Sequence, residues 1–293
     1  MRMLTQIYLK IGNLLNRLWF ITMKSKIFSI VVVLVFFSLI FVNSSNASFN
    51  SISIKSRFIF GFKIEKIDDR VFYYKSPANE KPENGFPVLF LFHGAVQHGF
   101  NWFFGLNYWS LRQTQFTQKA LDAGFFVIAP SSLKPVRPGP RAWDIFSNDS
   151  KDVIFMENMF DWIQSNNNLL DESQIFCTGF SSGGFMCTKV GHIFGEEIKA
   201  IAVHSGANSE SVYLTNGPPE FDLDRTYNFS NSFPPTIIIH GQNDGFVPVE
   251  AANLLYSDLQ RCNIVSEKHI DPDGGHIWLS DYDSFIFEFF DKQ

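Results

Sequence analysis

Gly179-Phe180-Ser181-Ser182-Gly183-Gly184 is preceded by the apolar run Gln174-Ile175-Phe176-Cys177-Thr178 and followed by Phe185-Met186-Cys187-Thr188-Lys189-Val190. The first run reads as a strand and the second continues as a helix, so Ser181 falls on a strand-to-helix turn and is the candidate nucleophile. A serine exposed on so sharp a turn has a strained backbone, and any side chain two positions away would collide with the neighbouring strand or helix. Gly179 and Gly183 occupy those two positions.

A serine hydroxyl attacks a carbonyl poorly without a base to take its proton and a carboxylate to orient that base. Ile237-Ile238-Ile239-His240-Gly241-Gln242-Asn243-Asp244 reads as a buried strand and a tight turn that delivers Asp244 to the strand-end edge. Asp273-Gly274-Gly275-His276 follows the next strand, its glycines letting His276 turn inward. The other acids fit less well: Asp222 and Asp224 lie in an irregular stretch, and Asp271 and Asp273 are too close in sequence to His276. Ser181, Asp244 and His276 therefore form the expected catalytic set, in the chain order of an α/β-hydrolase architecture. The tetrahedral oxyanion needs two preorganised donors. One is the Ser182 N–H at the start of the helix, and the other is the Ala95 N–H in the loop His93-Gly94-Ala95 after the strand Val88 to Phe92, with Gly94 giving freedom to aim it. Trp102, Phe103 and Trp143 follow strand ends, where they line an acyl pocket or fill the core, and His204 ends a strand near the site as a candidate substrate contact.

The rest of the chain alternates strands and helices. Leu111 to Ala123, Asp152 to Gln164, Glu250 to Gln260 and Tyr282 to Phe290 read as helices. Phe125 to Ala129, Ala200 to Val203, Thr236 to Ile239 and Val265 to His269 read as strands. Such alternation predicts an α/β fold with a mostly parallel central sheet and helices on both faces. Arg57 to Phe60 and Val71 to Tyr74 suggest an opening antiparallel pair joined by a charged turn, Glu65 to Arg70. Residues 205–235 show no clear element and many turn formers, which suggests a small lid.

Ile27 to Val42 is an apolar run preceded by Lys24 and Lys26, and Ser45-Asn46-Ala47 follows as a small-residue cleavage site. Residues 1–47 are expected to be a signal peptide, with Met23 as an alternative start, and residues 48–293 a single catalytic domain of a secreted or extracytoplasmic protein. The alternative is a membrane anchor at residues 27–42, although spanning usually takes about 20 apolar residues. The net charge of −5 and the lack of a basic run argue against a nucleic-acid partner. Cysteine and histidine spacings for a metal are absent, and neither metal nor cofactor is expected. The three cysteines, Cys177, Cys187 and Cys262, leave at least one unpaired. Cys177 and Cys187 either face each other across the turn or are small buried hydrophobes.

Leu91-Phe92-His93-Gly94, Ala120 to Pro130, Asp152-Val153, Ile175 to Gly184, His240-Gly241-Gln242-Asn243-Asp244 with Val247-Pro248, and Gly274-Gly275-His276 together resemble the α/β-hydrolase superfamily. More narrowly the chain resembles the secreted polyhydroxybutyrate depolymerase and feruloyl or acetylxylan esterase-like branch. That resemblance implies a serine esterase acting on short-chain, hydroxyalkanoate-oligomer, phenolic or acetyl esters. Two other readings are a serine peptidase of the prolyl-oligopeptidase type, since Gly183-Gly184 also follows the serine there, and a non-catalytic binding protein on a hydrolase scaffold.

Overall fold

Phe86–Phe92 forms strand β3, and every residue from Val88 onward in it is buried. The pleat sends Val88, Phe90 and Phe92 into one core and Leu89 and Leu91 into another, so this continuous apolar run serves both faces of one sheet. The structure is a computed structural model that describes residues 58–105, 108–133, 141–213 and 219–293. The expected leader, its cleavage site and the alternative anchor lie outside the described residues.

The other strands of this sheet are β1 (Lys63–Ile67), β2 (Arg70–Lys75), β4 (Phe126–Pro130), β5 (Leu170–Phe180), β6 (Ala200–His204), β9 (Thr236–Gly241) and β10 (Ser266–Asp271). They form eight strands in the order β1-β2-β4-β3-β5-β6-β9-β10. All neighbours from β4 to β10 pair in parallel, while β1–β2 and β2–β4 are antiparallel. The mostly parallel sheet expected from the alternation is present, and its strand C-termini share one edge.

Helix α1 (Tyr108–Asp122) and helix α5 (Asp283–Phe290) cover one face through Phe116, Ala120, Ile286 and Phe289. Helices α2 (Lys151–Ser165), α3 (Ser182–Ile193) and α4 (Val249–Arg261) cover the other through Phe155, Met159, Phe185, Val190 and Leu255. Ser150 caps α2 by accepting the Val153 N–H at 3.2 Å.

Two local readings change. The opening pair is antiparallel, but its first strand is the charged stretch Lys63–Ile67, and Phe58 contributes only an isolated bridge to Phe104. Charged side chains suit an edge strand, because they discourage pairing with another chain. The stretch 205–235 carries a two-stranded antiparallel pair, β7 (Val212–Tyr213) with β8 (Glu220–Phe221). Its described parts are fastened to α3 and α4: Asn208 meets His192 at 2.9 Å, the Ala207 carbonyl accepts from Thr188 at 3.0 Å, and the Tyr227 N–H donates to Asp258 at 2.9 Å. Cys177 and Cys187 are buried free thiols that contact each other, and burial pushes the Cys187 thiol well up, with its hydrogen bond to Cys177 adding to the effect. Cys262 is also free, accepting the Phe229 N–H at 3.4 Å.

Candidate active site

Ser181 stands between β5 and α3 with φ 55° and ψ −118°, a conformation that costs a non-glycine residue roughly 1–3 kcal/mol. Bonds on both sides hold it there. Its N–H donates to the His204 carbonyl of β6 at 2.9 Å, and its own carbonyl accepts from the Gly184 N–H at 2.8 Å. A Cβ on Gly179 would come within 2.2 Å of the Gly183 carbonyl oxygen, and one on Gly183 within 2.1 Å of the Phe92 carbonyl oxygen. Both are far inside contact distance, so the helix can approach β3 and β5 this closely only with glycine at both positions.

Two loops at the same sheet edge complete the arrangement. His276 Nε2 lies 2.9 Å from Ser181 Oγ, and His276 Nδ1 lies 2.7 Å from Asp244 Oδ2. The Asp244 loop is tied to the His276 loop, since the Gln242 N–H donates to the Asp271 carbonyl and the Asn243 N–H to the Gly274 carbonyl, each at 2.8 Å. Asp244 Oδ1 accepts the N–H groups of Phe246 and Val247, each at 2.9 Å. Burial raises the Asp244 pKa, but the hydrogen bond from His276, the Val247 N–H, the charge of His276 and the Phe246 N–H together hold it below the ordinary carboxylate value. An ionised Asp244 beside Nδ1 keeps Nε2 free to accept a proton from Ser181.

The other histidines near the site are buried and neutral. Burial depresses His93 to about 3 and His204 well below the ordinary value, and it also lowers His240. His204 Nε2 accepts the Leu279 N–H at 2.9 Å and its ring stacks on Trp278 at 4.2 Å. His240 Nε2 donates to the Val247 carbonyl at 2.9 Å. His276 is the ring that meets Ser181.

The two expected oxyanion donors follow neighbouring strands, Ala95 after β3 and Ser182 after β5. The Ser182 N–H opens α3, where first-turn N–H groups have no intrahelical acceptor. Ala95 follows β3, the neighbour of β5, and the loop is packed tightly on the residue before the nucleophile: a Cβ on Gly94 would lie 3.0 Å from the Phe180 ring. His93 holds this loop from below. Its Nδ1–H donates to the Gly94 carbonyl at 2.8 Å, and its Nε2 accepts the Ser132 N–H at 3.1 Å. The left-handed backbone of the loop falls on Val96 (φ 59°) rather than on Gly94, whose role is small size and not conformational freedom.

Residues 146–292, half of the chain, match the prolyl oligopeptidase family. The chain belongs to that family. It is 28% identical over 224 residues to the poly(3-hydroxyoctanoate) depolymerase of Pseudomonas fluorescens, covering 73% of this chain and 76% of the depolymerase. It is 25% identical over 234 residues to dipeptidyl-peptidase 5 of Aspergillus fumigatus, covering 72% of this chain but only 31% of the peptidase. Among solved structures, the acetyl xylan esterase from Aspergillus awamori superposes with a TM-score of 0.61 at 16% identity, covering 80% of this chain and 100% of the esterase. The chain is a serine hydrolase of the α/β-hydrolase fold.

In this member of the prolyl oligopeptidase family, the four side chains expected to line the substrate are placed elsewhere. Trp102 and Phe103 are fully buried, because the 3-10 turn Gly99–Trp102 folds them back into the core shared with α1 and α5. Trp102 packs edge-on to Trp278 at 5.2 Å, and Phe103 stacks on Phe62 at 5.1 Å. His204 is buried beneath the site on Trp278. Trp143 is buried as a brace: its indole N–H donates to the His93 carbonyl at 2.8 Å, and its backbone N–H donates to Ser182 Oγ at 3.0 Å.

Sequence reasoning missed what holds that brace. Arg70, read above as part of a charged turn, forms a buried ion pair with Asp152 and donates to the carbonyls of Lys151 at 2.8 Å and Ser131 at 3.0 Å. Its guanidinium lies over the Phe155 ring at 4.2 Å. The second oxygen of Asp152 accepts the Asp144 N–H at 2.8 Å, next to Trp143. Burial pushes Asp152 up and Arg70 down, and their mutual attraction opposes both shifts. The only trace in the sequence is Asp152-Val153 among the motifs quoted above; nothing local pointed to Arg70.

Proposed function

We propose that this chain is a carboxylic ester hydrolase working through an acyl-enzyme on Ser181. The observation that carries the reading is the unbroken hydrogen-bonded series Ser181 Oγ, His276 Nε2, His276 Nδ1, Asp244 Oδ2. As Ser181 Oγ bonds to the ester carbonyl carbon, its proton passes to His276 Nε2, and Asp244 stabilises the imidazolium without taking the proton. The carbonyl oxygen becomes an oxyanion that accepts from the Ala95 and Ser182 N–H groups. His276 then donates its Nε2 proton to the leaving alkoxide, and the carbon–oxygen bond breaks to leave the acyl-enzyme. A water, deprotonated by His276, attacks that ester, and return of the proton to Ser181 Oγ releases the acid.

Ester chemistry is favoured over peptide chemistry by the coverage of the relatives. The depolymerase aligns over about three quarters of both chains, whereas the dipeptidyl-peptidase extends far beyond the match. Short-chain and hydroxyalkanoate-oligomer esters are the favoured substrates, with phenolic and acetyl esters next. The peptidase reading rests on the family match itself. Turnover of p-nitrophenyl butyrate against that of a matched p-nitroanilide separates the two: ester turnover lost in Ser181→Ala supports the proposal, and anilide turnover without ester turnover replaces it with a peptidase. Export with removal of residues 1–47 is part of the proposal, and the N-terminal sequence of the mature protein tests it.

A further inference from the structure

Phe246 is a large apolar side chain left in solvent beside a reactive group. Its ring is 76% exposed, yet it stands 5.0 Å from the His276 ring, and its backbone N–H is held by Asp244 at 2.9 Å. The bond that orients the Asp244 carboxylate therefore also holds the backbone from which this ring projects beside His276. A second apolar side chain stands on the other side. Val96, directly after the oxyanion donor Ala95, is 75% exposed and has φ 59°. Of the non-glycine residues with positive φ among the described residues (Asp68, Val96, Ser181, Ser205 and Asn263), it is the one with a β-branched side chain. Such a residue is an outlier in this conformation, where glycine or asparagine fits without strain. The conformation is held by its N–H, which donates to the Arg141 carbonyl at 2.7 Å.

In the sheet order, Val96 follows β3 on one side of the nucleophile strand β5, and Phe246 follows β9 on the other. Single exposed hydrophobics need no explanation, but two that flank one serine, one strained and one pinned by the triad, do.

We propose that Phe246 and Val96 are specificity-determining residues that bind alkyl groups on either side of the reacting carbonyl, so that the enzyme selects substrates with apolar chains of several carbons over acetyl-sized ones. The proposal rests on Ser181 being the nucleophile but not on whether the scissile bond is an ester or an amide. Covering each exposed side chain with substrate alkyl removes apolar surface from water on both partners. Because the two surfaces are open rather than enclosed, selectivity of about tenfold between a long and a short alkyl group is expected, at the low end for hydrophobic discrimination.

The test uses p-nitrophenyl alkylphosphonates, in which Ser181 Oγ bonds to phosphorus, p-nitrophenolate leaves, and the serine proton passes to His276. Reaction rates with ethyl and octyl phosphonates are compared for the wild type, Phe246→Ala, Val96→Gly and the double variant, with the adduct on Ser181 identified by mass spectrometry. The expected result is an octyl-to-ethyl ratio near ten in the wild type, cut about threefold or more in Phe246→Ala and to near one in the double variant. A wild-type ratio that survives in the double variant overturns the proposal, as does a wild-type ratio near one. An absent Ser181 adduct with both probes defeats the nucleophile assignment instead, and ester or amide turnover then distinguishes that failure from loss of alkyl selectivity. Both side chains are exposed, so folding of the variants is not at issue, and Phe246→Leu, which keeps an apolar surface, should retain most of the ratio.

Discussion

The two halves of the candidate site are built differently. Ser181, Asp244 and His276 all lie within residues 146–292, Ser181 and Asp244 on turns after the buried strands β5 and β9 and His276 in the loop after the half-buried edge strand β10. The proposed oxyanion loop, His93-Gly94-Ala95, lies ahead of that segment and is held by residues distant in sequence: Trp143 on the His93 carbonyl, Ser132 on the His93 ring, and Arg70 with Asp152 behind them. A triad can be set by local turns because each member needs only one strand end and one neighbour. Two backbone donors must be aimed at a point in space, and a flexible loop holds such an aim only when other parts of the molecule fasten it.

The largest expected effect comes from the first half. Ser181→Ala should lower kcat for p-nitrophenyl butyrate by at least about 10⁴-fold, and Asp244→Asn by a comparable factor through the wrong His276 tautomer. Steady-state kinetics check both, and retention of more than a few per cent of activity by either would remove that residue from the proposed triad.

Next is the ion pair behind the second half. Asp152→Ala leaves the Arg70 guanidinium buried without its partner and should cost about 3–5 kcal/mol in urea-induced unfolding. A cost below about 1 kcal/mol would mean that the oxyanion loop does not depend on the pair for its support.

Trp143→Phe keeps the ring against Phe92 and removes the bond to the His93 carbonyl. It should cost about 1 kcal/mol in stability but a larger share of kcat than of KM, on the order of tenfold, because the loop it braces acts mainly in the transition state. Equal loss in both constants would make Trp143 a core residue and nothing more.

Titration acts on both halves and is read in stability. His93 under the oxyanion loop and His204 and His240 under the triad are kept neutral by burial, with His93 depressed to about 3 from an ordinary 6.5. The unfolded chain binds protons on these rings before the native protein does. Their contribution is therefore fully present above pH 6.5 and is lost as pH falls towards their folded values, at up to about 1.4 kcal/mol per pH unit for each ring. Asp283 and Asp152 work the other way: burial raises Asp283 to about 6 and Asp152 above its ordinary value, so the native state gains as pH falls from those raised values towards the ordinary 3.8. The three histidines outnumber these two carboxyls, and the unfolding midpoint should fall between pH 7 and pH 5. A midpoint that does not change would show that these rings are not kept neutral in the native state.

Much of the first half was legible because its constraints are local. A serine between two glycines, an aspartate after Ile237-Ile238-Ile239, and a histidine after Gly274-Gly275 each state their own geometry. Aromatic residues gave no such statement. Trp102, Phe103 and Trp143 occupy loops at the correct edge, yet all three turn inward, and Phe246, in a stretch read only for its aspartate, turns outward. Charge was ambiguous in the same way: Arg70 ends a run of charged residues, and only its position opposite α2 makes it a buried anchor.

The alternation of strands and helices from Val88 onward, the sharp turn at Ser181 and the chain order of Ser181, Asp244 and His276 were thus determined by the sequence alone, because periodicity, glycine and strand ends act over a few residues. The tertiary structure decided which aromatics became core and which faced solvent, how Arg70 and Asp152 stand behind the His93-Gly94-Ala95 loop, and where the strained backbone fell. Those outcomes depend on which distant surfaces meet, and burial is a property of the meeting rather than of either residue.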